Sequence, residues 1–331
     1  MIDALLFSVN AVFPILLICA FGFYVRKNGT VSDEFLKNGN KFCFNYAFMA
    51  MMFCNVYQMK SFAEIKWNVV LFAVLGVLTL FFIGLPYVIF FVPKEKQKGV
   101  LHQAFYRSNY ATIGLPLAFN IAGNEGLQLA SLISAFTVPL FNVLAVISLS
   151  VFTETKQEKP VLFVIKSIVK NPLIQGVVLG LLCVGIRPFC NGWTLKDGNL
   201  RFIYKAAESL GTIAPWLSLV ILGGQFKFSA IKKLIKEITA SVIVRCFLAP
   251  IVGMLLVVFL PAKIGLPAFK SVECASLFAL FAAPEAVASV AMADQMDADS
   301  ELAGQILVWT ALFSALSLFL FVAFFKKCGI F

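Results

Sequence analysis

The chain has 331 residues, 60% hydrophobic and 13% charged, with a mean hydropathy of +0.91 and a formal net charge of +10. Soluble domains carry about 25% charged and 45–50% apolar residues, so this composition excludes an ordinary soluble core. The positive charge does not point to nucleic acid, because no basic helix or aromatic-basic module is present. The Lys and Arg residues instead flank apolar blocks, where anionic lipid and membrane insertion favour them, so the expected partner is the lipid bilayer. The eight cysteines lie mostly inside apolar blocks and form no C-x-x-C pair, which reads as small core residues. A single histidine, His102, leaves no His-rich metal site, and no metal or cofactor is expected.

Taken in chain order, the first apolar block, 4–25, follows Met1-Ile2-Asp3. Those three residues lack the Lys or Arg of a cleavable signal, so the block is expected to remain as a span. Further blocks lie at 38–58, 67–92, 100–122, 126–152, 168–188, 202–225, 237–260, 268–292 and 301–325. A helix needs about 20 apolar residues to cross the hydrocarbon core, so the pattern predicts an all-α integral membrane protein of about ten transmembrane helices. The second and fourth blocks are the least apolar, with Asn45, Asn55 and Gln58, then Ser108, Asn109 and Asn120. Polar groups at that depth require protein or a water-filled cavity, so both spans are expected to face the interior.

With the N-terminus outside, the inner loops carry most of the basic residues. These are Arg26, Lys27, Lys37 and Lys41, then Lys94, Lys96, Lys98 and Arg107, then Lys156 to Lys170, then Lys227 to Lys236. The outer side holds fewer, among them Lys66, Lys196, Lys205 and Lys270, which places both termini outside.

A shift of 168 residues sets Pro116 on Pro284 and Ala47 on Pro215. The chain therefore divides into a first five-helix repeat, 1–152, a polar linker, 153–167, and a second repeat, 168–331. An odd number of spans forces the two repeats into opposite orientation, an architecture common in transporters. Helices 4 and 9 are then the broken crossover helices, interrupted at Gly114-Leu115-Pro116 and at Ala283-Pro284-Glu285-Ala286. Proline removes a backbone hydrogen bond and glycine permits unwinding, so these stretches are candidates for substrate binding through free helix N-termini. Ordinary proline kinks are the alternative.

Ser108 and Asn109 precede the first break, where an amide can orient a carboxylate or serve as interhelical glue. Glu285 is either a proton carrier or a first-turn charge complementing the helix dipole. Arg245, within the eighth span, is expected to pair with Glu273 or Glu285. The acidic cluster Asp294, Asp297, Asp299 and Glu301 is too short for a calcium loop and lacks its turn glycine, so it reads as a solvated loop. Gly176 and Gly180 form a G-x-x-x-G that reads as close helix packing.

At these residues the sequence resembles the auxin efflux carrier family, with its bacterial malonate-type permeases. The resemblance rests on the run Arg107–Ala118 with Gly123–Gly126, on Lys170–Gly176, and on Ala282–Val287. It spans nearly the whole chain. The family's proline in the second span is missing, with Ala47-Phe48 in its place. The resemblance implies a scaffold part, a transport part, helices crossing at Pro116 and Pro284, and organic anion substrates.

The function expected is that of a secondary transporter moving a mono- or dicarboxylate across the cytoplasmic membrane by alternating access. Proton or sodium coupling and a homodimer are compatible with it. A membrane-embedded transferase would need a metal-phosphate carboxylate motif or a His-carboxylate pair, and His102 has no acidic neighbour in sequence. A channel or receptor would show a filter or a signalling domain, and no Walker motif is present. The orientation is testable: in a cysteine-free background, Ile330→Cys should react with an impermeant thiol reagent in intact cells. Protection of that cysteine would place the C-terminus inside.

Overall fold

The computed structural model describes residues 2–58, 66–152, 160–190, 194–196 and 199–331. The first half contains α1 (Ile2–Lys27), α2 (Asp33–Phe42), α3 (Phe48–Tyr57), α4 (Trp67–Phe91), α5 (Glu95–Tyr106) and α6 (Leu115–Val151). The second contains α7 (Pro160–Lys170), α8 (Pro172–Ile186), α9 (Arg201–Gln225), α10 (Ala230–Ile243), α11 (Ala249–Lys263), α12 (Ser271–Ala282), α13 (Ala288–Gln295) and α14 (Ser300–Lys327). π turns at Cys43–Ala47, Tyr110–Gly114 and Val244–Leu248 join α2 to α3, lead into α6, and join α10 to α11. Of the expected linker, residues 153–159 lie outside the described residues, and helix α7 begins at Pro160.

Among the described residues, five helical segments are long and apolar enough to cross a membrane: Trp67–Phe91, Tyr110–Val151, Arg201–Gln225, Ala230–Lys263 and Ser300–Lys327. The protein is a multi-pass membrane protein. The helix Tyr110–Val151 bends back at Ala122-Gly123, where Gly123 has φ 64° and ψ −153°, a conformation open essentially to glycine alone. This turn separates the expected fourth and fifth spans. α5 and α12 have 12 residues each, about 18 Å at 1.5 Å per residue, and so reach only part way across a core of about 30 Å. They are halves of interrupted spans.

The two halves repeat one another with their roles exchanged. α1 packs along α9, while α8, the counterpart of α1, packs along α3, the counterpart of α9. α4 packs on α5 and α6, as α11 and α10 pack on α12 and α14. The fourth segment of each half is the broken one, as expected for two inverted five-helix repeats.

The position of the first break differs from expectation. The chain leaves helical geometry at Arg107–Asn109, not at Pro116. Pro116 is exposed and stands in the first turn of α6, where a missing N–H leaves no bond unmade. The preceding π turn, closed by the Leu115 N–H on the Tyr110 carbonyl, absorbs the proline's bulk. Pro250 follows the Val244–Leu248 turn in the same way. The shift of 168 residues that matched two prolines therefore does not match the two breaks.

α1, α3, α8 and α9 form a closely packed panel. A Cβ at Gly223 of α9 would collide with the Cys19 carbonyl of α1, and one at Gly176 of α8 with the Met49 carbonyl of α3. Small residues let helix backbones approach in a bilayer, where dispersion between helices replaces the hydrophobic effect. Gly176→Leu should force α8 from α3 and lower the thermal midpoint of the purified protein, at an overpacking cost of about 1–3 kcal/mol. Gly185→Leu, whose Cβ meets nothing within 4 Å, should leave the midpoint unchanged.

Candidate functional site

α5 ends at Tyr106 and α12 at Ala282, and the extended strands that follow them cross. Ser108 and Glu285 form an isolated antiparallel bridge, and the Asn109 N–H donates to the Pro284 carbonyl at 2.7 Å. Each broken helix thus supplies backbone partners for the other, as a membrane interior without water requires. Pro284 accounts for the second break, since it drives Ala283 to an extended φ −62°, ψ 142°. No proline makes the first. There the consecutive polar residues Arg107-Ser108-Asn109 turn out of the helix, Ser and Asn being residues that favour non-helical backbone.

Arg245 does not pair with Glu273 or Glu285. Its guanidinium, fully buried, donates Nη1–H to the Phe105 carbonyl at 3.4 Å and Nη2–H to the Phe281 carbonyl at 2.5 Å. These carbonyls belong to the last turns of α5 and α12. Their helical partners would be the N–H groups of Asn109 and Glu285, which bond instead to Pro284 and to Thr310 Oγ1. One planar cation therefore caps the negative ends of both half-helices. Glu273 is occupied elsewhere, accepting from Lys66 Nζ at 3.0 Å and from the Lys270 N–H at the start of α12.

Beside the crossing lies a cavity of about 40 Å³, bordered by Arg107, Ser108, Asn109, Asn142 and Ala286, with Phe48, Met51, Met52, Phe141 and Pro215 of the facing helices. Arg107, 2% exposed, donates to Gln103 Oε1 at 2.6 Å, to Asn142 Oδ1 at 2.9 Å and to Met292 Sδ at 3.0 Å. It forms no ion pair among the described residues. The Asn109 amide nitrogen and the Ser108 hydroxyl are buried without a hydrogen-bond partner.

Of the residues expected to bind substrate, Ser108, Asn109 and Ala286 border this cavity. Leu115 instead lines the larger vestibule described below. Gly114, Ala283, Pro284 and Glu285 are buried in the crossing without lining the cavity, and Pro116 faces away from it. Glu285 turns toward α13 and α14: Ser289 Oγ donates to its Oε1 at 2.6 Å, while Oε2 has no partner.

Sequence reasoning missed Arg107, which it counted with the loop charges, and Asn142, which has no local pattern around it. The signal available for Arg107 was its place at the head of three polar residues inside an apolar block. His102 is likewise deep in the fold. It is fully buried, bonded to the Phe81 carbonyl at 2.8 Å and to Ser148 Oγ at 3.0 Å, and ties α5 to α4 and α6.

A family described as membrane transport protein matches residues 7–322. The chain belongs to this family. It is the membrane transport domain of the auxin efflux carriers. The fold also matches a solved structure of a sodium proton antiporter from Methanocaldococcus jannaschii at pH 8. That match has a TM-score of 0.65 and 13% identity, over 97% of this chain and 97% of that one. No curated protein matches the sequence.

In this transport protein a vestibule of about 790 Å³ opens on the face bearing Lys66 and Lys270 and descends to Ala111 and Leu115. Ala111 also borders the cavity at the crossing. The Asp294–Glu301 segment is bonded to neighbouring helices. Asn40 of α2 donates to Asp294 at 2.7 Å, Gln97 to Asp299 at 2.9 Å, and Lys227 and Lys96 pair with Glu301 at 3.0 Å and Asp297 at 2.9 Å. The acidic cluster is thus an exposed interhelical loop, as expected, whose carboxylates also tie it to neighbouring helices. Removing the Arg245 cap should expose two buried carbonyls: Arg245→Leu is expected to lower the thermal midpoint sharply, each charged hydrogen bond contributing about 1.5–3 kcal/mol. Arg245→Lys, a point donor without the planar fork, should recover only part of the loss.

Proposed function

We propose that the protein is a secondary transporter of a small organic anion, working in the cytoplasmic membrane by alternating access. The observation that carries this reading is Arg107. A buried guanidinium without a carboxylate partner is costly, and an incoming anion would offset that cost. The anion would enter from the vestibule, with the tied Asp294–Glu301 segment opening when the crossing moves against the panel of α1, α3, α8 and α9. The basic bias of the loops favours the vestibule face as the outside. Membership of the transport family and the antiporter-like fold support a transporter over a membrane-embedded transferase, a channel or a receptor.

Glu285 is the group suited to ion coupling. It is 2% exposed, held by Ser289, and one of its oxygens is free to gain or lose a proton.

Purified protein in proteoliposomes should accumulate labelled malate or lactate under an imposed proton or sodium gradient. Asn109→Ala should lower uptake about tenfold or more at unchanged protein yield, the loss of one hydrogen bond to a charged ligand. Glu285→Gln should keep anion exchange while abolishing accumulation driven by a proton gradient. Normal gradient-driven uptake in that variant would remove Glu285 from the coupling.

A further inference from the structure

The helices around the crossing repeat in a register that matches residues on opposite sides of the membrane. α5 and α12 have 12 residues each, and Ser271 stands 176 residues after Glu95. Phe105 and Phe281, whose carbonyls Arg245 caps, keep the same offset. So do the helix that resumes at Asn124 beyond the non-helical Gly123 and ends at Val151, and α14, Ser300–Lys327. This register sets Glu125 on Glu301, each the second residue of its helix.

The match extends to the walls of two cavities. Glu125, Gln128 and Leu129 line the vestibule with Asn55 and Gln58 from the end of α3. Their counterparts Glu301, Gly304 and Gln305 line a pocket of about 460 Å³ with Leu222 and Gln225 from the end of α9. That pocket is therefore the vestibule's equivalent in the inverted repeat, a second mouth on the opposite side of the crossing.

The two mouths differ in one ion pair. In the pocket, Lys227 of the α9–α10 connection holds Glu301 at 3.0 Å. In the vestibule, Lys66 of the α3–α4 connection holds Glu273 at 3.0 Å. Glu125 is exposed there and forms no ion pair among the described residues. Both connections lead from the panel to the crossing helices. The third span is longer in the second half, so the two lysines match by place and not by number. Lys66, Glu125 and Glu273 all line the vestibule. Lys270 lines it too, but its counterpart Lys94 forms no ion pair among the described residues.

We infer that Lys66 is a switch with two stations, pairing with Glu273 while the vestibule is open and with Glu125 when it closes. The closed pair would repeat Lys227 on Glu301 in the other mouth. Inverted repeats exchange their arrangements between states, so a pair made in one mouth and unmade in the other marks what changes. A lysine suits the task, because its flexible stem and rotatable donors reach either carboxylate without a fixed fork. Both pairs are partly exposed and individually weak, so exchanging one for the other traps neither state. This inference rests on the alternating access reading and names the group that moves at the vestibule.

The test compares two reporter variants in otherwise cysteine-free protein purified in detergent. Ser131→Cys reports the vestibule and Val290→Cys, at a buried position, the pocket. The readout is the ratio of their labelling rates with a soluble maleimide. Glu273→Gln keeps an acceptor for the Lys270 N–H and removes the charge, so the start of α12 is retained. It leaves Lys66 only Glu125, and the ratio should fall about twofold to fivefold, the factor of a partly exposed ion pair. Adding Glu125→Gln should restore the native ratio. In a Lys66→Gln background neither substitution should move it. Glu301→Gln, which unties the pocket, should raise Val290→Cys labelling and lower Ser131→Cys labelling.

If Glu273→Gln leaves the ratio unchanged, or lowers it equally when Glu125 is already replaced, Glu273 is a structural contact and the switch is wrong. A response that survives Lys66→Gln removes the lysine as the moving group. If Glu301→Gln moves the two reporters oppositely while Glu273→Gln does not, the switch alone falls. If no variant moves them oppositely, the alternating access reading falls with it.

Discussion

The structure depends on the mutual pairing of two broken helices. A helix interrupted in hydrocarbon leaves N–H and C=O groups that no solvent can meet, each at a cost of several kcal/mol. Here the strand after α5 meets the strand after α12, and the Asn109 N–H on the Pro284 carbonyl closes the pair. Neither break could persist without the other. The half-length of α5 and α12, the short α13 and the inverted arrangement all follow, since two helices entering from opposite faces are the arrangement that brings two such breaks to one depth.

The crossing also concentrates charge. The C-terminal ends of α5 and α12 point at one another with unmatched carbonyls, a negative pole that Arg245 neutralises through Phe105 and Phe281. That role leaves Arg245 without a carboxylate ion pair among the described residues, and Ser289 donates to the Glu285 side chain. Arg107, on the other side of the crossing, keeps a positive charge among neutral acceptors. The two cations thus differ in what they bond: backbone carbonyls for Arg245, side-chain acceptors bordering a cavity for Arg107.

The long apolar blocks made the helical membrane class legible from sequence, and so did the second break, because proline acts on its own neighbours. The first break was misplaced because local reasoning looked for it at the glycine and proline of Gly114-Leu115-Pro116. Three adjacent polar residues made the break, and a π turn excused the proline. Arg107 was counted with the loop charges, and His102 was weighed only for an acidic neighbour, because sequence position shows charge but not depth. The partners that bury them, Asn142 and Ser148, come from α6, far along the chain. Such tertiary hydrogen bonds leave no periodic trace. The close packing of Gly176 and Gly180 on α3 did leave one, since spacing along a helix face is itself local.

A fold shared with a sodium proton antiporter leaves open what is carried, so that choice lies with the side chains at the crossing. Arg107 and Arg245 against Glu285 leave one positive charge when all three are ionised. On the proposed reading, one bound carboxylate brings the crossing to neutrality, and a neutral moving part crosses the field at no electrical cost. The empty carrier keeps its charge, and moving one elementary charge through 100 mV costs about 2.3 kcal/mol. The membrane potential would then act on the return step and leave the loaded step untouched. A dicarboxylate would reverse this balance unless Glu285 took up a proton with it. On that reading the charge of the cargo and the protonation of Glu285 are one linked choice, set by three side chains at the crossing.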